Sequence, residues 1–237
     1  MCIRDSAYVD RGLAYFKLGN YQQAIKDYNR AIELNPKFAM AVINRGAAYN
    51  KLGNYQQAIT DCNTAIELNP KFAMAYYNRG NAYGKLGNTR QAINDFNKAI
   101  ELNPQYADAY HNRGNDYGKL GNYQQAITDY NKAIELNPQY ADAYCNRGVA
   151  FAYLGQYKNA RADFDEAIRR NPKDINAYYN YACSFALQKD ATQACNWLEM
   201  AIERGYKDWK DLETDKDFDS IRNEKCFVDI IKKRTKK

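Results

Sequence analysis

Histidine is almost missing from this chain of 237 residues, and its scarcity excludes most familiar kinds of catalytic centre. The one histidine is His111, so any Ser-His, Cys-His or histidine-metal arrangement has to use that side chain. Neither a phosphate-binding P-loop nor a G-x-G-x-x-G turn after a strand occurs. We therefore expect no enzymatic activity, no metal and no cofactor, and His111 is expected to be an ordinary contact residue.

Closely spaced cysteine pairs and long apolar runs are also missing. The six cysteines contain no C-x-x-C motif and no paired spacing, which argues against a zinc knuckle and against a disulfide framework. No run of eighteen apolar residues and no secretory leader is present. These absences favour a reduced, cytoplasmic protein that does not enter a membrane.

The net charge of the chain outside its C-terminus is small. The net charge is +6, but Lys232, Lys233, Arg234, Lys236 and Lys237 supply +5 of it, which leaves +1 for residues 1–231. Binding of RNA or DNA needs a basic face along the fold. Nucleic acid is therefore not an expected partner. The basic tip is interpreted as a solvated terminus, and a localisation signal or a contact with an anionic surface is the alternative.

What the chain does contain is a repeat of 34 residues. All five prolines fall in one column, and ten of the thirteen glycines fall in two further columns. This period predicts repeats over 5–38, 39–72, 73–106, 107–140 and 141–174, a degenerate repeat over 175–208, and a capping segment with a basic tip over 209–237. Residues 1–6 match nothing in the repeats and are interpreted as a possible non-native leader.

Each repeat predicts two helices, A and B. In residues 107–140, apolar and small residues recur at helical spacing on both sides of a Leu-Gly-Asn break. Gly121 is expected to end helix A in a left-handed conformation, and Asn137-Pro138 to end helix B. Gly114 and Ala126 are small enough to let the two helices approach closely.

The pattern of residues 110–138 resembles the tetratricopeptide repeat family: Tyr110, Gly114 and Tyr117, then Ala126 and Tyr130, then Pro138 occupy the signature positions. The resemblance covers residues 5–208 and implies an all-α solenoid, a right-handed superhelix with helix A lining its inner groove. It also implies a scaffold or adaptor that binds another protein. The alternative is that the chain is the recognition arm of a longer protein, for example one with a glycosyltransferase domain.

Arginine at position 7 and aspartate at position 23 of the repeat occur together in five repeats and are lost together in the sixth, as Tyr181 and Trp197. We predict that each pair forms a structural ion pair between helices A and B. Common descent of near-identical repeats is the alternative explanation. The pairs are Arg11/Asp27, Arg45/Asp61, Arg79/Asp95, Arg113/Asp129 and Arg147/Asp163.

Position 6 of helix A is nearly constant, whereas its neighbours vary. The asparagines there are Asn44, Asn78, Asn112, Asn146 and Asn180, and the variable groove positions include Tyr77, His111, Asp108 and Asp142. An asparagine amide can pair with a peptide unit in either direction. The column resembles the asparagine ladder of the O-linked N-acetylglucosamine transferase superhelix, which predicts that asparagines hold a ligand backbone while the variable residues select side chains. The alternative is that these asparagines are solvated residues inherited by duplication.

Two further expectations concern individual positions. Chaperone-binding tetratricopeptide domains clamp a C-terminal carboxylate with lysine at position 5 and arginine at position 6, and neither occurs here, so tails of heat-shock chaperones are not expected partners. Asp116 stands where the other repeats have a small residue. It is either a contact at the groove edge or a packing fault that needs a partner.

Overall fold

The structure is a computed structural model that describes the backbone of residues 3–233 and the side chains of residues 5–233. In this range the chain forms fourteen α-helices and one short 3₁₀ helix, and the predicted all-α fold of paired helices is confirmed. The helices are α1 (Ile3–Lys17), α2 (Tyr21–Leu34), α3 (Ala39–Lys51), α4 (Tyr55–Leu68), α5 (Ala73–Lys85), α6 (Thr89–Leu102), α7 (Ala107–Lys119), α8 (Tyr123–Leu136), α9 (Ala141–Tyr153), α10 (Tyr157–Arg170), α11 (Ile175–Leu187), α12 (Ala191–Glu203), α13 (Trp209–Thr214), the 3₁₀ helix (Lys216–Phe218) and α14 (Lys225–Lys233).

The chain divides into two compact units, Met1–Tyr117 and Gly118–Lys237. Up to α12, odd-numbered helices are helix A of a repeat and even-numbered helices are helix B. The first unit contains three complete hairpins, and the second contains α8 to α12 with the capping segment.

Glycine ends helix A in every regular repeat, as the sequence predicts. Gly121 has a φ of 76°, and the equivalent glycines of the other four regular repeats have φ between 70° and 80°. L-residues with a side chain avoid this left-handed region because the Cβ atom crowds the backbone. The sixth repeat has Lys189 at this position, with a φ of 62°.

Small residues let the helices of a hairpin pack closely. An added Cβ atom at Gly80 would lie 2.8 Å from the ring of Phe96, and one at Gly12 would lie 2.6 Å from the ring of Tyr28. Both rings are buried. In these two hairpins an aromatic ring lies across a glycine, and burial of one such ring contributes about 2–3 kcal/mol.

The capping segment covers the sixth repeat. Its apolar side chains are buried in the same core as Tyr178 and Leu198 of that repeat. The buried residues of the segment are Leu212, Phe218, Ile221, Phe227 and Ile230. A helical repeat has an apolar face that the next repeat normally covers, and this segment takes the place of a next repeat.

One sequence expectation about this region is wrong. Cys195 of α12 and Cys226 of α14 form a disulfide, with their Cα atoms 6.1 Å apart. The spacing of the cysteines does not predict it, because only the packing of α14 against α12 brings two cysteines 31 positions apart into contact. The cysteines therefore no longer indicate a reducing compartment. Cys62, Cys145 and Cys183 are free and buried.

Two further predictions concern the ends of the chain, namely the possible leader and the basic tip. Residues 3–6 of the possible leader belong to α1, and the Asn35 side chain donates a hydrogen bond to the buried carboxylate of Asp5 at 3.2 Å. The basic tip lies mostly outside the described residues, as do Met1 and Cys2. Among the residues that are described, no helix combines the length and the apolar character needed to cross a membrane.

Candidate functional site

The structure brings the predicted arginine and aspartate partners together in four repeats. Arg45 donates from Nε to Asp61 Oδ2 at 2.8 Å and from Nη2 to Asp61 Oδ1 at 2.6 Å. This bidentate geometry is that of a strong charge-assisted ion pair. The same two bonds join Arg11 to Asp27, Arg79 to Asp95 and Arg147 to Asp163. Arg113 belongs to the first unit and Asp129 to the second.

The arginines of repeats two to five also bond to the preceding repeat. Arg45 Nη1 donates to Asn29 Oδ1 at 2.7 Å, and Arg79 Nη1 donates to Asn63 Oδ1 at 2.6 Å. The same bond joins Arg113 to Asn97 and Arg147 to Asn131. One guanidinium therefore connects helix B of its own repeat with helix B of the repeat before it.

Sequence reasoning missed this asparagine, although a signal was present. Position 25 is asparagine in the first four repeats and becomes Asp165 in the fifth, which precedes the repeat without arginine. Burial of the Tyr181 hydroxyl and its hydrogen bond with Asp165 raise its pKa to about 12. The substitutions at positions 7 and 25 thus occur together, and a comparison of the two columns would have found the contact.

These ion pairs are structural. The Asp61 and Asp95 side chains are only 7% and 8% exposed, and the pKa of Arg45 is raised because Asp61 accepts its hydrogen bonds. A guanidinium that stays charged at every accessible pH cannot exchange protons with a substrate. The pairs therefore hold helix A against helix B.

The asparagine column lies on the surface of helix A that the resemblance assigns to ligand binding. Asn112 is half-buried and donates from Nδ2 to Asn81 Oδ1 at 2.8 Å and to the Tyr77 hydroxyl at 3.2 Å. Its Oδ1 lies 3.2 Å from His111 Nδ1. Both of its N–H groups point to protein partners in the preceding repeat, so the amide orientation is fixed and its oxygen keeps acceptor capacity.

The other asparagines of the column differ in exposure. Asn44, Asn146 and Asn180 are half-buried, whereas Asn78 is 7% exposed and its Nδ2 has no hydrogen-bond partner among the described residues. Asn180 Nδ2 donates to the sulfur of Cys145 at 3.4 Å. The column is therefore a set of amides set into the helix A surface, less solvated than the duplication hypothesis implies.

The variable positions also divide by exposure. Asp108 and Asp142 are exposed in the first turns of α7 and α9, and Tyr77 is half-buried with its ring 4.6 Å from that of Tyr106. His111 is 6% exposed, more buried than the expected groove contact. Asp116 is also buried, and its carboxylate packs against Gly84, one of the three glycines outside the periodic columns.

Stacked helical hairpins, braced from repeat to repeat and carrying a polar column on one helix face, define a helical-repeat protein. Family models described as tetratricopeptide repeat match residues 6–38, 73–106 and 141–174, and also 27–60 and 96–128; a model described as TPR repeat matches 46–87 and 114–155. The chain belongs to the tetratricopeptide repeat family. Proteins of this family mediate protein–protein interactions.

Solved structures with the same fold extend the comparison. YrrB, described as a TPR protein with an unusual peptide-binding site, is 26% identical over 75% of this chain and 92% of its own, with a TM-score of 0.62. MamA is 29% identical over 68% of this chain and 95% of its own, with a TM-score of 0.60. A tetratricopeptide repeat protein from Parabacteroides merdae is 21% identical over 98% and 89%, with a TM-score of 0.74. The search of curated proteins gave no match.

Proposed function

We propose that this chain is a non-catalytic adaptor that binds an extended peptide segment of a partner protein along its helix A surface. In this proposal the asparagines of position 6 hold the ligand backbone, and the variable residues of helix A select its side chains. The observation that carries the proposal is the arrangement of Asn112, whose two N–H groups are committed to Tyr77 and Asn81.

The bonds of Asn112 to Tyr77 and Asn81 decide which hydrogen bonds it can form with a ligand. An amide with both donors occupied still has lone pairs on its oxygen, so Asn112 is suited to accept a hydrogen bond from a ligand N–H. A fixed amide loses little rotamer entropy when a ligand binds. The proposal therefore assigns the asparagine as an acceptor for ligand backbone N–H groups, where the sequence alone left either direction open.

The spacing of the column suits an extended chain. Neighbouring packed helices lie about 10 Å apart, and an extended peptide advances about 3.3 Å per residue. One asparagine therefore meets roughly every third ligand residue. In the first unit this applies to Asn44, Asn78 and Asn112, which sit on three consecutive A helices.

Side-chain selection is assigned to the exposed positions. Met74 is 38% exposed on α5, and Asp108 is exposed at the start of α7. An apolar contact followed by an acidic one favours a ligand in which apolar and basic residues succeed each other. The printed description of YrrB, a peptide-binding tetratricopeptide protein at 26% identity, supports the class of ligand.

Selection from a random-peptide display library against the purified chain tests the proposal. A selected peptide is then titrated against the wild type, Asn112→Ala and Asn94→Ala by fluorescence anisotropy. Asn94 is an exposed asparagine on helix B of the same unit, so it controls for the amide-to-methyl change. We expect roughly tenfold weaker binding by Asn112→Ala and no change for Asn94→Ala, the size expected for one backbone hydrogen bond.

Two results would overturn the proposal. One is that no peptide is enriched above the background of an unrelated helical protein. The other is that enriched peptides bind Asn112→Ala as tightly as the wild type, or lose equal affinity with Asn94→Ala. Circular dichroism on each variant separates a loss of binding from a loss of fold.

A further inference from the structure

A cavity of about 190 Å³ lies in the second unit, between α9, α11 and the capping segment. Its apolar walls are Val149, Ala152 and Leu187, and its acidic end is formed by Asp215 and Asp217. The first three lie on A helices, and Asn180 of the asparagine column also lines the cavity, so the cavity adjoins the surface assigned above to peptide binding. Asp217 lies in the 3₁₀ helix that follows the last repeat, and Asp215 is the N-cap of that helix.

The acidic end carries negative charge without a cation. Side-chain ligand atoms of Cys183, Asp215 and Asp217 lie within 4.8 Å of one another. Among the described residues, neither carboxylate has an arginine or lysine partner. The nearby Arg222 donates instead to Asp219 and to the backbone oxygens of Glu213 and Asp215.

Two tyrosines fix the carboxylates in place. The Tyr179 hydroxyl donates to Asp215 Oδ2 at 2.6 Å, and the Tyr153 hydroxyl lies 3.0 Å from both oxygens of Asp217. Burial raises the pKa of Asp217, and the charges of Asp215 and Asp219 raise it further, against the lowering effect of the Tyr153 bond. Like charges held together without a counter-ion favour the binding of a cation.

A third polar group at the cavity is unsatisfied. Ser184 lines the cavity and is 1% exposed, and its hydroxyl has no hydrogen-bond partner among the described residues. A buried hydroxyl without a partner costs about 1–3 kcal/mol, so it indicates a site where a donor is expected. A ligand that brings hydrogen-bond donors would satisfy it.

We propose that this cavity binds a lysine side chain of the partner peptide, with the ammonium group at Asp215, Asp217 and Ser184. The inference rests on the proposed function, because the lysine belongs to a peptide on the helix A surface. Lysine is then one side chain that the helix A surface selects, and it binds at the C-terminal end of the repeats.

The chemistry of an ammonium group fits the cavity. It has three N–H donors, and the cavity offers two carboxylates and one hydroxyl as acceptors. An ammonium nitrogen bonds oxygens at about 2.8 Å, which requires acceptors less than about 5.6 Å apart, and the carboxylate oxygens meet this condition. The apolar walls suit the methylene groups of lysine, and Asn180 in the cavity wall is placed to meet the ligand backbone.

The test uses three random nine-residue display libraries whose central residue is fixed as lysine, arginine or norleucine. Norleucine keeps the methylene groups of lysine and removes its charge. We expect the full-length chain to retain the lysine library at least about fivefold more than the norleucine library, and more than the arginine library. The variant Asp215→Asn with Asp217→Asn is expected to lose this preference while still retaining peptides.

The matched control is Glu224→Gln with Asp229→Asn, which removes two exposed charges from the same segment outside the cavity. It should keep the lysine preference. Retention of peptides without a lysine preference, or a preference that survives Asp215→Asn with Asp217→Asn, overturns this inference and leaves the proposed function intact. Retention of no library at all overturns both.

A direct titration covers the case in which the double variant does not fold. Nα-acetyl-lysine N-methylamide is added to the wild-type chain, and amide signals of residues 179–184 and 215–217 are followed by NMR. Shifts there, absent with the norleucine analogue, support the assignment. Shifts that appear with Zn²⁺ but not with the lysine probe overturn it and assign the cluster to a metal ion.

Discussion

Repeats five and six, both in the second unit, have an ion pair and an aromatic pair, respectively, at the same two positions. Repeat five joins its helices through the buried ion pair of Arg147 and Asp163, whereas repeat six has Tyr181 and Trp197 there, with ring centroids 4.2 Å apart. The Tyr181 ring also stacks on Phe164 of repeat five at 5.0 Å. An aromatic stack thus replaces the charged contact both within the repeat and to the repeat before it.

A second exchange accompanies the first. Gly148 lies under Phe164 in repeat five, and repeat six has Ala182 and Leu198 at the same two positions, both fully buried. The larger alanine on helix A is thus accompanied by a leucine in place of the larger phenylalanine on helix B. The comparison teaches that positions 7 and 23, and positions 8 and 24, change as pairs because each pair shares one space between two helices.

The largest effect is expected from breaking the ion pair of repeat five. Arg147→Ala leaves the Asp163 carboxylate buried without its partner, and we expect the free energy of unfolding to fall by about 4 kcal/mol. Urea unfolding followed by circular dichroism measures it. Arg147→Tyr with Asp163→Trp copies repeat six and should lose much less; a double variant no more stable than Arg147→Ala would contradict the pairwise account.

Reduction of the disulfide that ties the cap to repeat six comes next. Opening the Cys195–Cys226 bond releases a loop of 31 positions, and we expect the second unit to lose about 3 kcal/mol. Thermal unfolding with and without a thiol reductant measures the change. The variant Cys195→Ser with Cys226→Ser should match the reduced protein and ignore the reductant, and a reductant effect in that variant would place the cause elsewhere.

Gly80→Ala tests the shared space between positions 8 and 24. The new methyl group would lie 2.8 Å from the Phe96 ring, and we expect a net loss of about 1 kcal/mol after the gain in helix propensity. With Phe96→Leu already present, as in repeat six, the same change should gain about 0.5 kcal/mol. Urea unfolding of the four proteins gives the coupling, and equal effects in both backgrounds would show that the positions are independent.

An effect of similar size is expected at the turn that ends helix A. Lys189 holds a left-handed φ of 62° where the regular repeats have glycine, so Lys189→Gly should raise the free energy of unfolding by about 1 kcal/mol. Gly155→Ala, at a φ of 70°, should lower it by about the same amount. Changes of the same sign in the two variants would mean that backbone strain does not decide this position.

The repeat period was sufficient to predict the helices, their ends and the family, because Gly121, Pro138 and their equivalents mark the same turn in every repeat. It also predicted the ion pairs from a joint loss at Tyr181 and Trp197. It does not predict the bond to Asn29 and its equivalents, because an arginine with five donors can have more than one partner and the joint loss indicates only the aspartate.

A periodic pattern cannot predict contacts made by segments that do not repeat. The Cys195–Cys226 disulfide and the carboxylates of Asp215 and Asp217 depend on how a segment without repeats folds back onto the last hairpin. His111 and Asn78 stand at predicted groove positions, but both are buried, and burial depends on neighbouring side chains that differ from repeat to repeat.

The most direct test of the proposed backbone ladder is an N-methyl scan of one selected peptide. Each backbone N–H of the peptide is replaced in turn by N–CH₃, and the Kd for the wild-type chain is measured. The account predicts losses of roughly tenfold at about every third residue, and their disappearance at one position with Asn112→Ala. Losses without a period of three, or an unchanged pattern with Asn112→Ala, would contradict the claim that the asparagine column holds the ligand backbone.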